Sequence, residues 1–373
     1  MTKPRRVRHL LVRKPEGCSK LNKWIWPVTA VLVGASAVMH YMHAAAIWVF
    51  LLSCLSIIPL AGVMGRSTES IAAHAGPRLG GLLSATFGNA VELIIGVIAI
   101  KDGLLDLVKA SITGSILGNL LFVLGVSFLV GGIRHPIQKF NIRAARSNSS
   151  MLVAAIGVAY IVPAIFVSRT HGAHILLSSV VAAALFVLYI AGLYFSLITH
   201  RDLFTSINTV AADPDEQEPW RLWPAVIILF LTTILVSFES EWLVETVKEV
   251  GHSFGWSELF IGVIVVAIVG NAAEHASAVI MAWKNRMDLS LEIAVGSSLQ
   301  VAMFVAPVLF GASLLLGHPM YLVFSWPELA CMGAGAILIA ILMMDGESNW
   351  LEGAVALAAY VIMAVGFYSL PSF

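Results

Sequence analysis

Charge is the scarcest property of this 373-residue chain. Lys, Arg, Asp and Glu together make up 12% of it, about half of the roughly 25% that soluble domains carry. Combined with 59% hydrophobic residues, that shortage excludes a water-soluble enzyme. Cysteine is also sparse: Cys18, Cys54 and Cys331 have no metal-ligand spacing and make no disulfide framework. Catalytic signatures are missing as well. The chain has no G-x-S-x-G and no H-E-x-x-H, which leaves an intramembrane hydrolase without a nucleophile or base. It has no G-x-x-x-x-G-K-[ST] either, which argues against ATP-driven pumping by this chain.

What the chain does have is apolar length. Many runs reach about 20 residues, enough to cross a bilayer as a helix. Hydropathy and helix breakers predict an all-α polytopic membrane protein with about eleven transmembrane helices, at 25–42, 44–64, 82–101, 107–131, 149–168, 174–198, 223–242, 258–283, 290–316, 320–343 and 350–371. The first of these follows a basic tail with eight Lys and Arg before Trp24. Ala35-Ser36-Ala37 would fit a signal-peptide cleavage site, but the long tail and the second hydrophobic run close behind favour a retained helix. If the N-terminus is cytoplasmic, all of the 22 Lys and Arg except Lys101, Lys109, Arg169 and Lys248 fall on the cytoplasmic side. That is the bias the positive-inside rule demands, and it places the C-terminus outside.

The chain also repeats itself. A shift of 182 residues carries "GNAVELIIG" at 88–96 onto "GNAAEHASA" at 270–278, Asp106 onto Asp288, Gly114 onto Gly296 and Ser115 onto Ser297. Each copy holds five spans, and an odd number forces the second copy to enter the membrane from the opposite face. The predicted architecture is two inverted five-helix repeats plus one extra N-terminal helix, a secondary-transporter plan. Its divisions are a basic tail and first helix at 1–43, a first repeat at 44–198, an acidic cytoplasmic linker at 199–222 and a second repeat at 223–373.

Glu92 and Glu274 fall near the centres of the third and eighth spans, where a carboxylate needs water, a partner or a bound ion. Asn89 and Asn271 precede them by three residues, so each Asn-Glu pair shares a helical face. The next span of each copy adds Ser115 and Asn119, or Ser297 and Gln300, again on one face. These are oxygen donors without a thiolate, a set suited to a hard cation such as calcium. A lone Asn, Ser or Gly-x-x-x-Gly is ordinary helix packing, whereas two deep carboxylates at equivalent repeat positions have few structural uses. His275 has two readings, tuning of proton binding at the second motif or a satisfied structural histidine. Glu239, Glu241, Glu245 and Glu249 read either as an external cation attractor or as a wetted helix end. The acidic residues of the linker, Asp202, Asp213, Asp215, Glu216 and Glu218, read as a solvated charge run rather than as a weak regulatory calcium site.

The paired "GNAVELIIG" and "GNAAEHASA" motifs, each followed by a Gly-Ser pair, resemble the alpha-repeats of the cation/proton exchangers in the cation/calcium antiporter superfamily. The resemblance covers the ten repeated spans. It implies that Glu92 and Glu274 alternate between calcium and protons, and that Asn89, Asn271, Ser115, Ser297, Asn119 and Gln300 line the site or the proton paths beside it. The expected activity is export of Ca²⁺ in exchange for H⁺ by alternating access, from a bacterial plasma membrane with the N-terminus cytoplasmic. Ca²⁺ and H⁺ are substrates; no cofactor and no nucleic-acid partner are expected, and the surrounding partner is the lipid bilayer. Exchange of Na⁺, K⁺ or Mn²⁺ for protons is the alternative, and a cation channel built on the same carboxylates is the remoter one.

Overall fold

The chain is seen in a computed structural model that describes residues 16–167, 174–200 and 218–370. The basic tail before Glu16 and most of the acidic linker lie outside the described residues. The helices in chain order are α1 Glu16–Tyr41, α2 Ala46–Ala75, α3 Pro77–Phe87, α4 Ala90–Lys101, α5 Leu105–Arg134, α6 Ile142–Phe166, α7 His174–Thr199, α8 Leu222–Phe254, α9 Glu258–Gly270, α10 Ala272–Trp283, α11 Met287–Leu315, α12 Trp326–Leu342 and α13 Trp350–Ser369. Among the described residues seven helices are long and apolar enough to cross a bilayer, or eight with the bent pair α9 and α10 taken as one span. Ile25–Tyr41 and Trp326–Leu342 are shorter apolar helices.

Local chemistry explains where the helices start and stop. The predicted span 320–343 begins late, at Trp326, because Ser325 and Glu328 form a capping box with Pro327 in the first turn. Asn349 and Glu352 cap α13 in the same way. Conversely, α8 runs twelve residues past the predicted Trp242 and ends where Gly255 takes a left-handed φ of 67°. Helices that overrun the apolar stretch carry their polar turns into the headgroup region, which hydropathy alone does not register.

Contacts between connections sort them to the two ends of the bundle. At one end a two-stranded antiparallel pair, β1 Gln138–Lys139 and β2 Glu347–Ser348, ties the loop after α5 to the loop after α12. Gln138 donates to the Ala282 carbonyl at 2.8 Å, and the Asn141 amide donates to Asp288 at 2.5 Å. At the other end Lys101 pairs with Glu241 at 3.4 Å, His40 stacks on Trp242, and the Leu322 amide donates to Ser178 at 3.1 Å. This is the sorting that alternating membrane crossings require.

Candidate ion-binding site

Both Gly-Asn-x-x-Glu motifs sit where a helix breaks. Asn89 separates α3 from α4 with φ −96° and ψ 24°; Asn271 separates α9 from α10 with φ −96° and ψ 6°. The second break bends the helix by 63°. Each glutamate therefore falls in the first turn of a half-helix, where free backbone N–H groups and the helix dipole favour a negative charge. The preceding half-helices end with carbonyls directed at the same region.

The two motifs meet. A Cβ placed on Gly270 would lie 3.6–3.7 Å from the Glu92 carboxyl arm, and one placed on Gly88 would lie 3.5 Å from Glu274 Oε1. Each glutamate thus lies over the glycine of the other motif, a close approach that a side chain there would crowd. Glu92 and Glu274 are near enough to feel each other's charge.

The remaining predicted residues join them through hydrogen bonds across the two halves. Asn89 Nδ2 donates to Gln300 Oε1 at 2.6 Å, and Asn271 Nδ2 donates to Ser115 Oγ at 2.9 Å. Asn119 Nδ2 donates to Ser297 Oγ at 3.0 Å. These bonds consume the donors of both motif asparagines and turn their oxygens elsewhere. Four buried oxygens are left without a protein partner: Asn89 Oδ1, Glu92 Oε2, Asn271 Oδ1 and Glu274 Oε2. Orphaned acceptors at that depth are costly, and a cation or protons would satisfy them. Among the described residues no three His, Cys, Asp or Glu side chains converge, so the donors are hard oxygens and not a transition-metal set.

His275 is placed by the same network. Its Nε2 lies 3.1 Å from Asn119 Oδ1, and its ring stands edge-on to Phe122 at 6.0 Å. It touches Asn119, so it orients the amide that holds Ser297. Just beyond Ser115 and Gln300 the helices widen into π-helical turns at Gly118–Val123 and Val301–Val305, irregularities frequent at functional sites.

The two ends of the site differ. α9 packs against α5 so tightly that a Cβ on Gly114 would collide with the Val263 carbonyl, and one on Gly262 would meet Ala110 at 2.5 Å. The corresponding contact in the other half is absent among the described residues: a Cβ on Gly296 meets nothing within 4 Å, and Gly80 packs against Ala72 of α2 instead. α9 is buried, whereas Leu79, Leu82, Ser84 and Phe87 of α3 are exposed. The α9 end of the site is packed against α5, and the α3 end lacks the equivalent contact.

Sequence reasoning missed Glu292. It shares a face of α11 with Asp288 and Gln300 and lines a cleft with Asn141 and Asn148 at the α3 end; the four-residue spacing Asp288, Glu292, Gly296, Gln300 was the available signal. It also missed the separateness of Glu239. Glu241 is half-buried and Glu245 and Glu249 are exposed, but Glu239 is fully buried, so a wetted helix end does not describe it.

Broken helices meeting at buried carboxyls inside a helical membrane bundle define a secondary transporter. The profile of the sodium/calcium exchanger protein family matches residues 45–198 and 224–369, and the chain belongs to that family. It is 51% identical over 351 residues to the Ca²⁺/H⁺ antiporter ChaA of Bacillus subtilis, covering 94% of this chain and all of that protein. Among solved structures it is similar to native YfkE, with 49% identity, 93% of this chain and 100% of that chain covered, and a TM-score of 0.81. The H⁺/Ca²⁺ exchanger CAX shares the fold at 13% identity and a TM-score of 0.68, over 94% of this chain and 93% of that one.

Proposed function

We propose that this chain is a secondary antiporter that exports Ca²⁺ in exchange for H⁺, with Glu92 and Glu274 holding one Ca²⁺ or two protons in turn. The observation that carries the reading is the set of four buried, unpartnered oxygens, one asparagine and one glutamate from each motif. Two carboxylates and two amide oxygens suit a hard divalent cation, with Ser115, Ser297, Asn119 and Gln300 fixing their orientation. Protons compete for the same carboxylates, so binding of one ligand expels the other. The 51% identity to a Ca²⁺/H⁺ antiporter supports the choice of ions.

Charge explains the coupling. One Ca²⁺ between two carboxylates is neutral, and so are two protonated carboxyls; either loaded site can pass through the low-dielectric barrier. Two bare carboxylates cannot do so cheaply, and a futile leak is thereby suppressed. With two protons per Ca²⁺ the cycle moves no net charge.

The architecture we assign is eleven crossings, with inverted repeats at 44–198 and 223–373, an extra N-terminal helix within 1–43 and a linker at 199–222. The 182-residue register of the motifs and the reciprocal placement of each glutamate over the other motif's glycine support it. The excess of Lys and Arg at the α3 end supports a cytoplasmic N-terminus in a bacterial plasma membrane. In that orientation the packed α5–α9 contact faces outward and the end without its equivalent faces the cytoplasm.

The test is ⁴⁵Ca²⁺ uptake into inside-out vesicles or proteoliposomes with an acidic interior, comparing wild type with Glu92→Gln and Glu274→Gln. Uptake that needs the pH gradient and vanishes in both variants is the expected result. Absence of calcium uptake by folded wild type would move the substrate to Mn²⁺, Na⁺ or K⁺. Full activity in either variant would place the ion site elsewhere.

A further inference from the structure

A second buried carboxyl lies away from the paired glutamates. Glu239 of α8 is fully buried, and its Oε2 accepts a hydrogen bond from Ser36 Oγ of α1 at 2.8 Å. Ser36 Oγ also lies 3.2 Å from Ser53 Oγ of α2, so the three side chains join three helices. Ser53 is seven residues into α2, about 10 Å along its axis from the end that carries Lys101 and Glu241. Glu239 Oε1 has no partner, and neither do the buried hydroxyls of Ser240 beside it and of Ser56 one turn along α2 from Ser53. The position 182 residues earlier is Ile57, so this carboxyl has no counterpart in the other half and is no part of the repeated ion site.

Among the described residues no cation balances it. From α1 the titratable groups on this side are His40 and Tyr41, both ringed around Trp242. From α2 it is Cys54, a thiol beside Ser53. From α4 it is Lys101, which pairs with Glu241, and from α9 it is Glu258. On α8 itself the neighbours are Glu241 and Glu245. Among the described residues none of these forms an ion pair with Glu239. One neutral hydroxyl donor does not replace the hydration that a bare carboxylate loses on burial. A protonated carboxyl, by contrast, keeps the Ser36 bond at Oε2 and carries its hydrogen on Oε1.

We propose that Glu239, with Ser36 and Ser53, is a proton-binding site separate from the paired glutamates, and that the bound proton fastens α1 to α2 and α8. The oxygen geometry favours a proton over a metal cation, because Ser36 directs its hydrogen at the carboxyl and not its lone pairs at a shared centre. The docked arrangement holds one more proton than an arrangement in which α1 has parted and water reaches Glu239. Docking is therefore fully favoured at low pH and weakens as pH rises, by at most tenfold in the docking equilibrium per pH unit for a single proton. The helix outside the repeat becomes a proton-sensing element at the α9 end of the bundle.

Two measurements test it. In a Glu92→Gln, Glu274→Gln background the infrared spectrum should retain a carboxylic-acid carbonyl band at neutral pH that disappears when Glu239→Gln is added; a band unchanged by Glu239→Gln overturns the proposal. Spin labels on Met42→Cys and Glu245→Cys, in a background otherwise without cysteine, report the distance from α1 to α8. The expected result is a single docked distance at low pH and an undocked fraction that grows by up to tenfold per pH unit at higher pH, with Glu239→Gln docked throughout. Ser36→Ala should raise the undocked fraction at every pH while keeping the slope. A pH-dependent distance that persists in Glu239→Gln, or a wild type docked at all pH values, overturns the latch.

Discussion

An alanine at position 114 tests the difference between the two ends of the site. Its methyl would fall onto the Val263 carbonyl, with Val263 C and Cα each 2.6 Å away. Carbon atoms pack best at about 3.5–4.0 Å, so α5 and α9 must part by about 1 Å. The obstacle is backbone, and no rotamer change relieves it. Overpacking of this kind costs about 1–3 kcal/mol, which changes the population ratio of packed and unpacked conformations by roughly 5- to 150-fold. The penalty applies only where α5 and α9 are packed, that is, where the α9 end is closed. Gly296 lies 182 residues on and meets nothing within 4 Å, so Gly296→Ala should leave this conformation untouched and burden its mirror, in which the α3 end is closed.

The readout is labelling of Ser84→Cys, exposed on α3, by a membrane-impermeant maleimide applied to inside-out vesicles. The background carries Cys18→Ser, Cys54→Ser and Cys331→Ser. From near-equal populations, Gly114→Ala should slow labelling about threefold at the lower bound of the penalty, and Gly296→Ala should leave it unchanged or speed it. Equal effects of the two substitutions, in protein that elutes as a folded species, would refute the reasoning.

Three further outcomes follow from the site. Gln300→Leu removes the acceptor that holds Asn89; calcium uptake should survive with an apparent KM raised by roughly 5- to 150-fold, the cost of about 1–3 kcal/mol for a displaced buried amide. His275→Ala leaves Asn119 Oδ1 without its partner and should lower the thermal midpoint and slow transport, while His275→Gln, which keeps a donor, should restore much of both. On the proposed competition of protons for the two carboxylates, raising the proton concentration on the calcium-loading face weakens calcium binding. At low pH the logarithm of the apparent KM should fall with a limiting slope of two per pH unit, and the slope should decline to zero once both carboxyls are ionised; a limiting slope of one would mean that one carboxyl exchanges.

The site was legible in the sequence because its parts are repeated. Asn89 and Glu92 could be read beside Asn271 and Glu274, and duplication of a polar pattern inside apolar helices is hard to explain by packing alone. What the repeat could not supply was pairing. Asn119 bonds Ser297 and Asn271 bonds Ser115, contacts 178 and 156 residues apart that no local periodicity encodes. The helix breaks were hidden for a related reason: Gly88-Asn89 and Gly270-Asn271 interrupt the backbone without lowering hydropathy enough to end a span. Glu239 shows the opposite failure. Its spacing from Glu241, Glu245 and Glu249 suggested one wet cluster, and only the docking of α1 through Ser36 separates it from them.

The conformational asymmetry lies furthest from the sequence. Gly80 and Gly262 occupy equivalent positions, yet one packs on its own half and the other on α5. In the proposed alternating-access cycle, equivalent residues in the two repeats lend the two conformations similar energies, and any single structure then breaks the symmetry between them. On the proposed mechanism the half-helices α3 and α9 are the moving parts, and the central network of Asn89, Asn271, Ser115, Ser297, Asn119 and Gln300 orients the two carboxyls toward one ion. A motion of that kind needs no rearrangement of the ligands, only release of one backbone contact at Gly114 and formation of its equivalent at Gly296.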